Sequence, residues 1–332
     1  MSITVSGVGP GACTPSGTKL GPMSRSLSRA ARALALAGLV ACPPSLAAQP
    51  VPALDSARLL ADLSVLAHDS MQGRAPGTPG SLRARAFLER SLAETGVRPA
   101  SDQYARPFEW AGGSGVNLVA LVPGRGTASD VIVLSAHYDH VGVRAGVIYN
   151  GTDDNASGTA ALLEIARRVM AAPLQHTLVL ALFDAEEQGS QGARAFVLTP
   201  PVALERIALD VNLDMVSRTG GVLWAGGASH TPALRPILEE VADEAPLTLR
   251  LGHDRPGAPE GDDWTSQSDH IAFHEKGIPF VYFGVEDHAD YHRPTDDFER
   301  VDPGEYVASV RTILLGLRAL DAALPLPNRA AR

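Results

Sequence analysis

Between residues 131 and 161 the chain reads VIVLSAHYDHVGVRAGVIYNGTDDNASGTAA, and few folds accommodate such a string. An apolar, β-branched run at 131–134 ends in His137-Tyr138-Asp139-His140, and a Gly-rich segment then brings Asp153-Asp154-Asn155 to the start of an Ala-rich helical pattern. Side chains able to bind a metal or move a proton thus stand at a strand exit and at a helix start. In open α/β sheets, sites form at that edge, beyond the carboxyl ends of the strands. The same order recurs downstream. Residues 177–183 (TLVLALF) run into Asp184-Ala185-Glu186-Glu187-Gln188-Gly189, 207–213 (IALDVNL) into Asp214, and 278–285 (IPFVYFGV) is followed within seven residues by Tyr291-His292. Four strand-like runs that each empty into His, Asp or Glu predict a sheet whose strand ends carry metal or acid–base chemistry.

The remaining patterns agree with such a sheet. Leu59, Leu60, Leu63 and Leu66 recur at helical spacing within 55–67. A second helix is predicted over 81–95, carrying Leu82, Ala86, Phe87 and Leu92, with Gly96 placed to end it. Residues 116–122 read as a strand closed by Pro123-Gly124. From residue 131 onward, strands alternate with helical patterns near 157–171, 190–198, 231–245, 266–276 and 303–324. That alternation implies an α/β fold: a single domain with a mixed, mostly parallel central sheet and helices on both faces, a three-layer sandwich. No repeat or linker interrupts residues 50–325, so these are expected to form one domain, with 326–332 a disordered tail.

Residues 1–49 are expected to lie outside the fold. The first 22 are rich in Gly, Ser, Pro and Thr without periodicity, whereas Met23 opens a positive region (Arg25, Arg29, Arg32), an apolar stretch at 33–41 and then small residues. This is the pattern of a secretory signal preceded by a mis-assigned or disordered extension, and its apolar run is too short to span a bilayer. Ser45-Leu46-Ala47 resembles an ordinary cleavage site, and Leu39-Val40-Ala41-Cys42 resembles a lipobox that would leave Cys42 lipidated. The expected product is exported, periplasmic or secreted, with a lipoprotein anchored through Cys42 as the alternative. Cys13 and Cys42 are the only cysteines, so the mature chain has neither a disulfide framework nor thiolate ligands. Any metal must be held by His and carboxylate, a donor set that suits zinc ahead of manganese or cobalt. A net charge of -9 argues against a nucleic-acid partner.

Taken singly, each group also has an ordinary reading. His137-x-Asp139 is either a polar loop or a ligand imidazole whose second nitrogen is held by Asp139. Asp153-Asp154 is either a helix cap or a source of ligands. Glu186-Glu187 is either a solvated pair or, emerging into a crowded cleft, two carboxylates that need a cation or proton between them; Asp214 poses the same choice. His140, His270, His274 and His288 suit packing or supporting hydrogen bonds, and Asp296 is placed to support His292. The aperiodic segment 250–263 (RLGHDRPGAPEGDD) suits either a specificity-shaping rim or a solvent loop.

Taken together, the strings SAHYDH, GTDDNASGTA, FDAEEQG, NLDM, SDHIAFHEKGIPFVYF and DYHRPTDD resemble, in order, the motifs of the zinc-dependent exopeptidases of the bacterial leucyl aminopeptidase and glutamate carboxypeptidase type. The resemblance covers the C-terminal two-thirds of the mature chain, and LAHDSMQGRAPGTPGS is similar to the family's usual lead-in. It implies two Zn2+ per chain, one held by His137 and Asp214, the other by Glu187 and His292, with Asp154 bridging and Asp153 as runner-up for that role. It implies a cis peptide bond after the bridging residue, Glu186 as general base, and Tyr291 as a hydrogen-bond donor to the tetrahedral oxyanion. Peptides are the implied substrates.

The activity implied first is that of an aminopeptidase, because no insert domain fits between Trp110 and Val131 and no paired-Arg clamp for a substrate carboxylate is visible. The alternatives are a carboxypeptidase or dipeptidase of the same fold, a glutaminyl cyclase-like acyltransferase, and a non-catalytic binding module. A single-zinc cyclase is disfavoured by the presence of both His137 and Asp214, and a binding module by the completeness of the ligand and base set.

Overall fold

A computed structural model describes residues 53–259 and 261–326, which belong to one compact unit. The expected export signal, both cysteines and residues 327–332 of the expected tail lie outside the described residues.

Local chemistry sets the first helices. The Asp55 carboxylate accepts the Arg58 N–H at 3.0 Å and caps α1 (Ser56–Leu66). Thr78 caps α2 (Pro79–Thr95), proline occupies its first turn, and Gly96 ends it in the left-handed conformation at φ 79°. The chain then forms β1 (Arg98–Pro99), β2 (Ala105–Trp110), β3 (Gly113–Val122) and β4 (Val131–His137), followed by a hairpin of β5 (Gly142–Arg144) and β6 (Val147–Tyr149). After it come α3 (Gly158–Ala171), β7 (Thr177–Phe183), α4 (Gln191–Leu198), β8 (Ile207–Leu213), β9 (Val222–Gly226), α5 (Leu234–Glu244), β10 (Thr248–Leu251), α6 (His270–His274), β11 (Phe280–Gly284) and α7 (Pro303–Ala323).

The main sheet runs β1-β3-β7-β4-β8-β11-β9-β10, with β2 also paired to β3. Its centre is parallel: β4 pairs with β7 and β8, and β11 with β8. β3 joins β7 antiparallel, and β11, late in the sequence, inserts between β8 and an antiparallel β9. Side chains alternate between the faces, as the two-residue period of a strand requires. Ile132, Leu134, Ala136, Leu178, Leu180 and Leu182 join the core built with α1, α2, α3, α5 and α7. Val131, Val133, Val179, Ala181 and Phe183 face the other way, against Phe196 of α4 and Phe273 of α6. The sheet is therefore covered on both faces, as the alternation of patterns predicts.

Some boundaries differ from those expected. The helix expected over 231–245 begins at Leu234, and the one expected over 266–276 is a short α6. Residues 250–251, expected in a loop, belong to the end of β10, paired in parallel with β9. β1, β2, β5, β6, β9 and β10 were not foreseen: they are short or at an edge, and backbone pairing carries them rather than a buried apolar run.

Candidate metal centre

Because β7, β4, β8 and β11 are parallel, their carboxyl ends share one edge, and the chemistry-bearing side chains gather there. His137 is the last residue of β4, Asp214 follows β8 directly, and Glu186 and Glu187 follow β7 after a turn in which Ala185 takes φ 60°. Asp154 lies in a distorted turn before α3, and its peptide bond to Asn155 is cis, as the resemblance implies. His292, at φ 52°, comes from the loop beyond β11.

The donors form two groups. His137, Asp154 and Asp214 make one; His140, Asp154, Glu187 and His292 make the other, and within each group the ligand atoms lie within 4.8 Å of one another. Asp154 belongs to both. Its Oδ1 lies 3.4 Å from His137 Nε2, and its Oδ2 lies 2.9 Å from His292 Nε2. His137 Nε2 is 3.2 Å from Asp214 Oδ1, and His292 Nε2 is 3.3 Å from Glu187 Oε2. All five residues singled out as ligands in the sequence thus come together. His140, set aside there, joins them: its Nδ1 lies 2.7 Å from Glu187 Oε1, without the alignment of a hydrogen bond, so both atoms are buried and lack a hydrogen-bond partner. Its spacing three residues after His137, across the turn that leaves β4, gave no face from which to place it.

Imidazoles and carboxylates, with no thiolate, packed around unpartnered buried atoms such as Glu187 Oε1, fit a zinc ion. The four acids at this edge, Asp154, Glu186, Glu187 and Asp214, need positive charge between them.

The supporting residues are assigned more sharply by the structure. Asp153, the runner-up for the bridging position, turns away: its Oδ1 accepts the Ser217 N–H and hydroxyl, each at 2.7 Å, and its Oδ2 lies 3.1 Å from His288 Nε2. Asp139 lies beside the second nitrogen of His137 as expected, within ion-pair reach but beyond a short hydrogen bond. The His137 Nδ1 is 3.2 Å from the Asp139 backbone carbonyl and 3.7 Å from its carboxylate, which instead accepts the backbone N–H groups of Glu186 at 3.0 Å and Glu187 at 3.4 Å. Asp296 does not support His292. Its Oδ2 accepts the N–H groups of Asp153 and Asp154 at 3.0 and 3.3 Å, so it steadies the distorted turn before α3.

A cavity of ≈ 250 Å³ opens over the cluster, lined by Asp154, Glu186, Glu187, Asp214 and His292 on one side and by Met215, Trp264, Tyr282, Val285 and Tyr291 on the other, with Gln267 and Asp287 completing it. Trp264 is held flat against His253, with ring centroids 3.7 Å apart, so segment 250–263 backs one lining residue while none of its described residues lines the cavity. Tyr291 stacks on His292 at 4.0 Å. Burial pushes the Glu186 carboxyl well above the usual carboxylate range, against the pull of His137, and its Oε1 accepts the Ser190 hydroxyl at 3.3 Å. Burial likewise raises the Tyr291 phenol, with Asp154 adding to the effect.

Residues 117–316 match the family described as Peptidase family M28. The chain is 30% identical over 287 residues to leupeptin-inactivating enzyme 1 of Streptomyces exfoliatus, an alignment that covers 81% of this chain and 60% of that relative. The chain therefore spans less than two thirds of the length of this curated relative. In fold it is similar to a zinc aminopeptidase from Bacillus subtilis, with a TM-score of 0.65 and 15% identity over 81% of this chain and 96% of that one. It is also similar to glutaminyl cyclase from Porphyromonas gingivalis, with a TM-score of 0.64 and 20% identity over 82% and 99% of the respective chains.

Proposed function

The chain belongs to peptidase family M28, and from that premise we propose that it is an exported zinc aminopeptidase, hydrolysing peptides from their amino ends. The observation that carries the reading is Asp154, whose two carboxylate oxygens face separate donor groups, an arrangement suited to sharing between two ions. In this reading His137 and Asp214 hold one Zn2+, Glu187 and His292 hold the other, and Asp154 serves both. When bound, the zinc pair supplies Lewis acidity, polarising the scissile carbonyl and bringing the pKa of a water towards neutral.

The chain's own residues do the rest. Glu186 takes the proton of the attacking water and returns it to the leaving amine, and its raised affinity for a proton suits both transfers. Asp139 orients that base through the Glu186 backbone N–H. Tyr291, kept protonated, donates to the oxyanion as it develops. Met215, Trp264, Tyr282 and Val285 offer an apolar wall to the first side chain of the substrate. No Lys or Arg lines the cavity among the described residues, so a substrate carboxylate has no partner there, whereas Asp287 suits a free amine. This supports an aminopeptidase over a carboxypeptidase. The second donor group, His137 with Asp214, supports a hydrolase over a cyclase of the same fold.

Glu186→Gln tests the reading. The variant is expected to retain the zinc content of the parent by elemental analysis while kcat on an aminoacyl anilide falls by about 10²–10⁴-fold. Near-native turnover would remove Glu186 from the role of base. A panel of free, N-blocked and C-terminally presented dipeptide substrates decides the direction of cleavage, with the N-blocked peptides expected to resist. No helix among the described residues is long and apolar enough to cross a membrane. Export through a signal within residues 1–49 is read from the amino-terminal sequence, and amino-terminal sequencing of the mature protein separates cleavage after Ala47 from lipidation at Cys42.

A further inference from the structure

The largest fully buried side chain among the described residues is Arg74, in the loop between α1 and α2, with no exposed surface. Its guanidinium makes four hydrogen bonds, all to backbone carbonyls: Nε to Tyr138 at 2.8 Å, Nη1 to Leu66 at 2.8 Å and Asn150 at 2.6 Å, and Nη2 to Gly151 at 2.8 Å. Burial lowers its pKa to about 10, and Asp154, Asp139, Asp296 and Glu187 act against that fall through space. An arginine buried without a direct carboxylate partner is costly, and the backbone delivering it is unusual, since Gln72, Gly73 and Arg74 take φ of 50°, 63° and 54° in succession.

The carbonyls it binds explain its place. Tyr138 separates His137 from Asp139, and Asn150 and Gly151 lead directly into the turn of Asp153 and Asp154. One planar fork therefore ties the exit of β4 to the turn before α3, with Leu66 at the end of α1 as the fixed point. The Tyr138 and Asn150 carbonyls lie on irregular backbone outside the sheet ladder and would lose a buried partner without Arg74, whereas the Gly151 carbonyl also accepts the Ala156 N–H at 3.2 Å. Its charge also lies behind the carboxylate cluster, where it offsets the repulsion that would otherwise spread the ligands apart.

We propose that Arg74 is a positioning residue for the metal centre, holding the 137–139 and 153–154 segments in their ligating arrangement before any ion arrives. The proposal rests on the reading that the pocket binds zinc, and that reading fails separately, if elemental analysis finds no zinc in the parent protein. The full-length parent, stripped of metal with a chelator, gives the first test by hydrogen exchange. Amides of residues 138–154 are expected to exchange at least about 100-fold more slowly than an unstructured chain. Exchange at unstructured rates until zinc is restored would overturn the proposal, because the ion and not Arg74 would then order the segment. The second test is Arg74→Lys, which keeps the charge but loses the fork. Zinc Kd, measured by chelator competition, is expected to rise by about 10–100-fold, with kcat falling about tenfold and KM changing by less than about threefold. A folded Arg74→Lys protein with zinc Kd and kcat within about twofold of the parent would overturn the proposal. Should the variant not fold, the exchange result on the parent decides alone.

Discussion

Asp153 and Asp154 are adjacent and have opposite surroundings. Asp154 turns both oxygens to imidazoles across the cluster, whereas Asp153 is consumed by Ser217, Ser157 and His288. Asp154→Asn is therefore expected to lose most bound zinc by elemental analysis while unfolding near the parent's metal-free midpoint. Asp153→Asn should keep zinc but lose about 2–3 kcal/mol of stability, measured by denaturant unfolding, because buried donors on Ser217 lose a charged acceptor. The residue types of this centre were legible in the sequence, and so were their positions at strand ends. The division of labour within it was not. Whether Asp139 reaches an imidazole or the backbone of Glu186, and whether Asp296 steadies His292 or the turn at Asp153, depends on side-chain direction at irregular backbone, which neither a two-residue nor a 3.6-residue period encodes. Arg74 lay inside the lead-in string, but nothing in that string marks a guanidinium that meets only carbonyls.

At the scale of elements, β7 and β8 were read to their final residues because each is a largely apolar run closed by an acid. The strands that were missed owe their pairing to neighbours supplied by the fold, as β9 owes its pairing to β10 and β11. β8 carries a further feature that the apolar reading hides: Asp210 and Asn212 project on the face opposite Leu209, Val211 and Leu213, where the Ser135 hydroxyl donates to Asp210 at 2.8 Å and the other carboxylate oxygen of Asp210 is buried without a partner. Burial raises the Asp210 pKa from 3.8 to about 8, against the Ser135 hydrogen bond. A group whose folded pKa lies above its unfolded value contributes fully below pH 3.8, and that contribution is lost as pH rises towards 8. Asp210→Asn removes this loss. Its stability relative to the parent should therefore increase with pH across that window, by up to about 1.4 kcal/mol per pH unit, as read from urea midpoints at several pH values. A flat difference between pH 4 and 8 would show that Asp210 stays ionised in the fold.

For the whole molecule, the fold class followed from the alternation of patterns because both sheet faces must be covered, and the two cores confirm that logic residue by residue. The acids gathered at one edge make stability depend on what neutralises them. Chelation is expected to lower the thermal midpoint, and added zinc to restore it in proportion to the logarithm of its concentration, reaching about 2.7 kcal/mol at a hundred times Kd; a midpoint indifferent to zinc would separate the metal from the folded state. The place of β11 has a further consequence. The last strand among the described residues lies inside the sheet, between β8 and β9, and His292 arrives only after it. A polypeptide that stops short of this segment already carries the other donors but lacks the strand that joins β8 to β9. The metal centre is therefore completed only by the late part of the chain, so a polypeptide truncated before β11 is expected to lack both the inner strand of its sheet and one of its ligands.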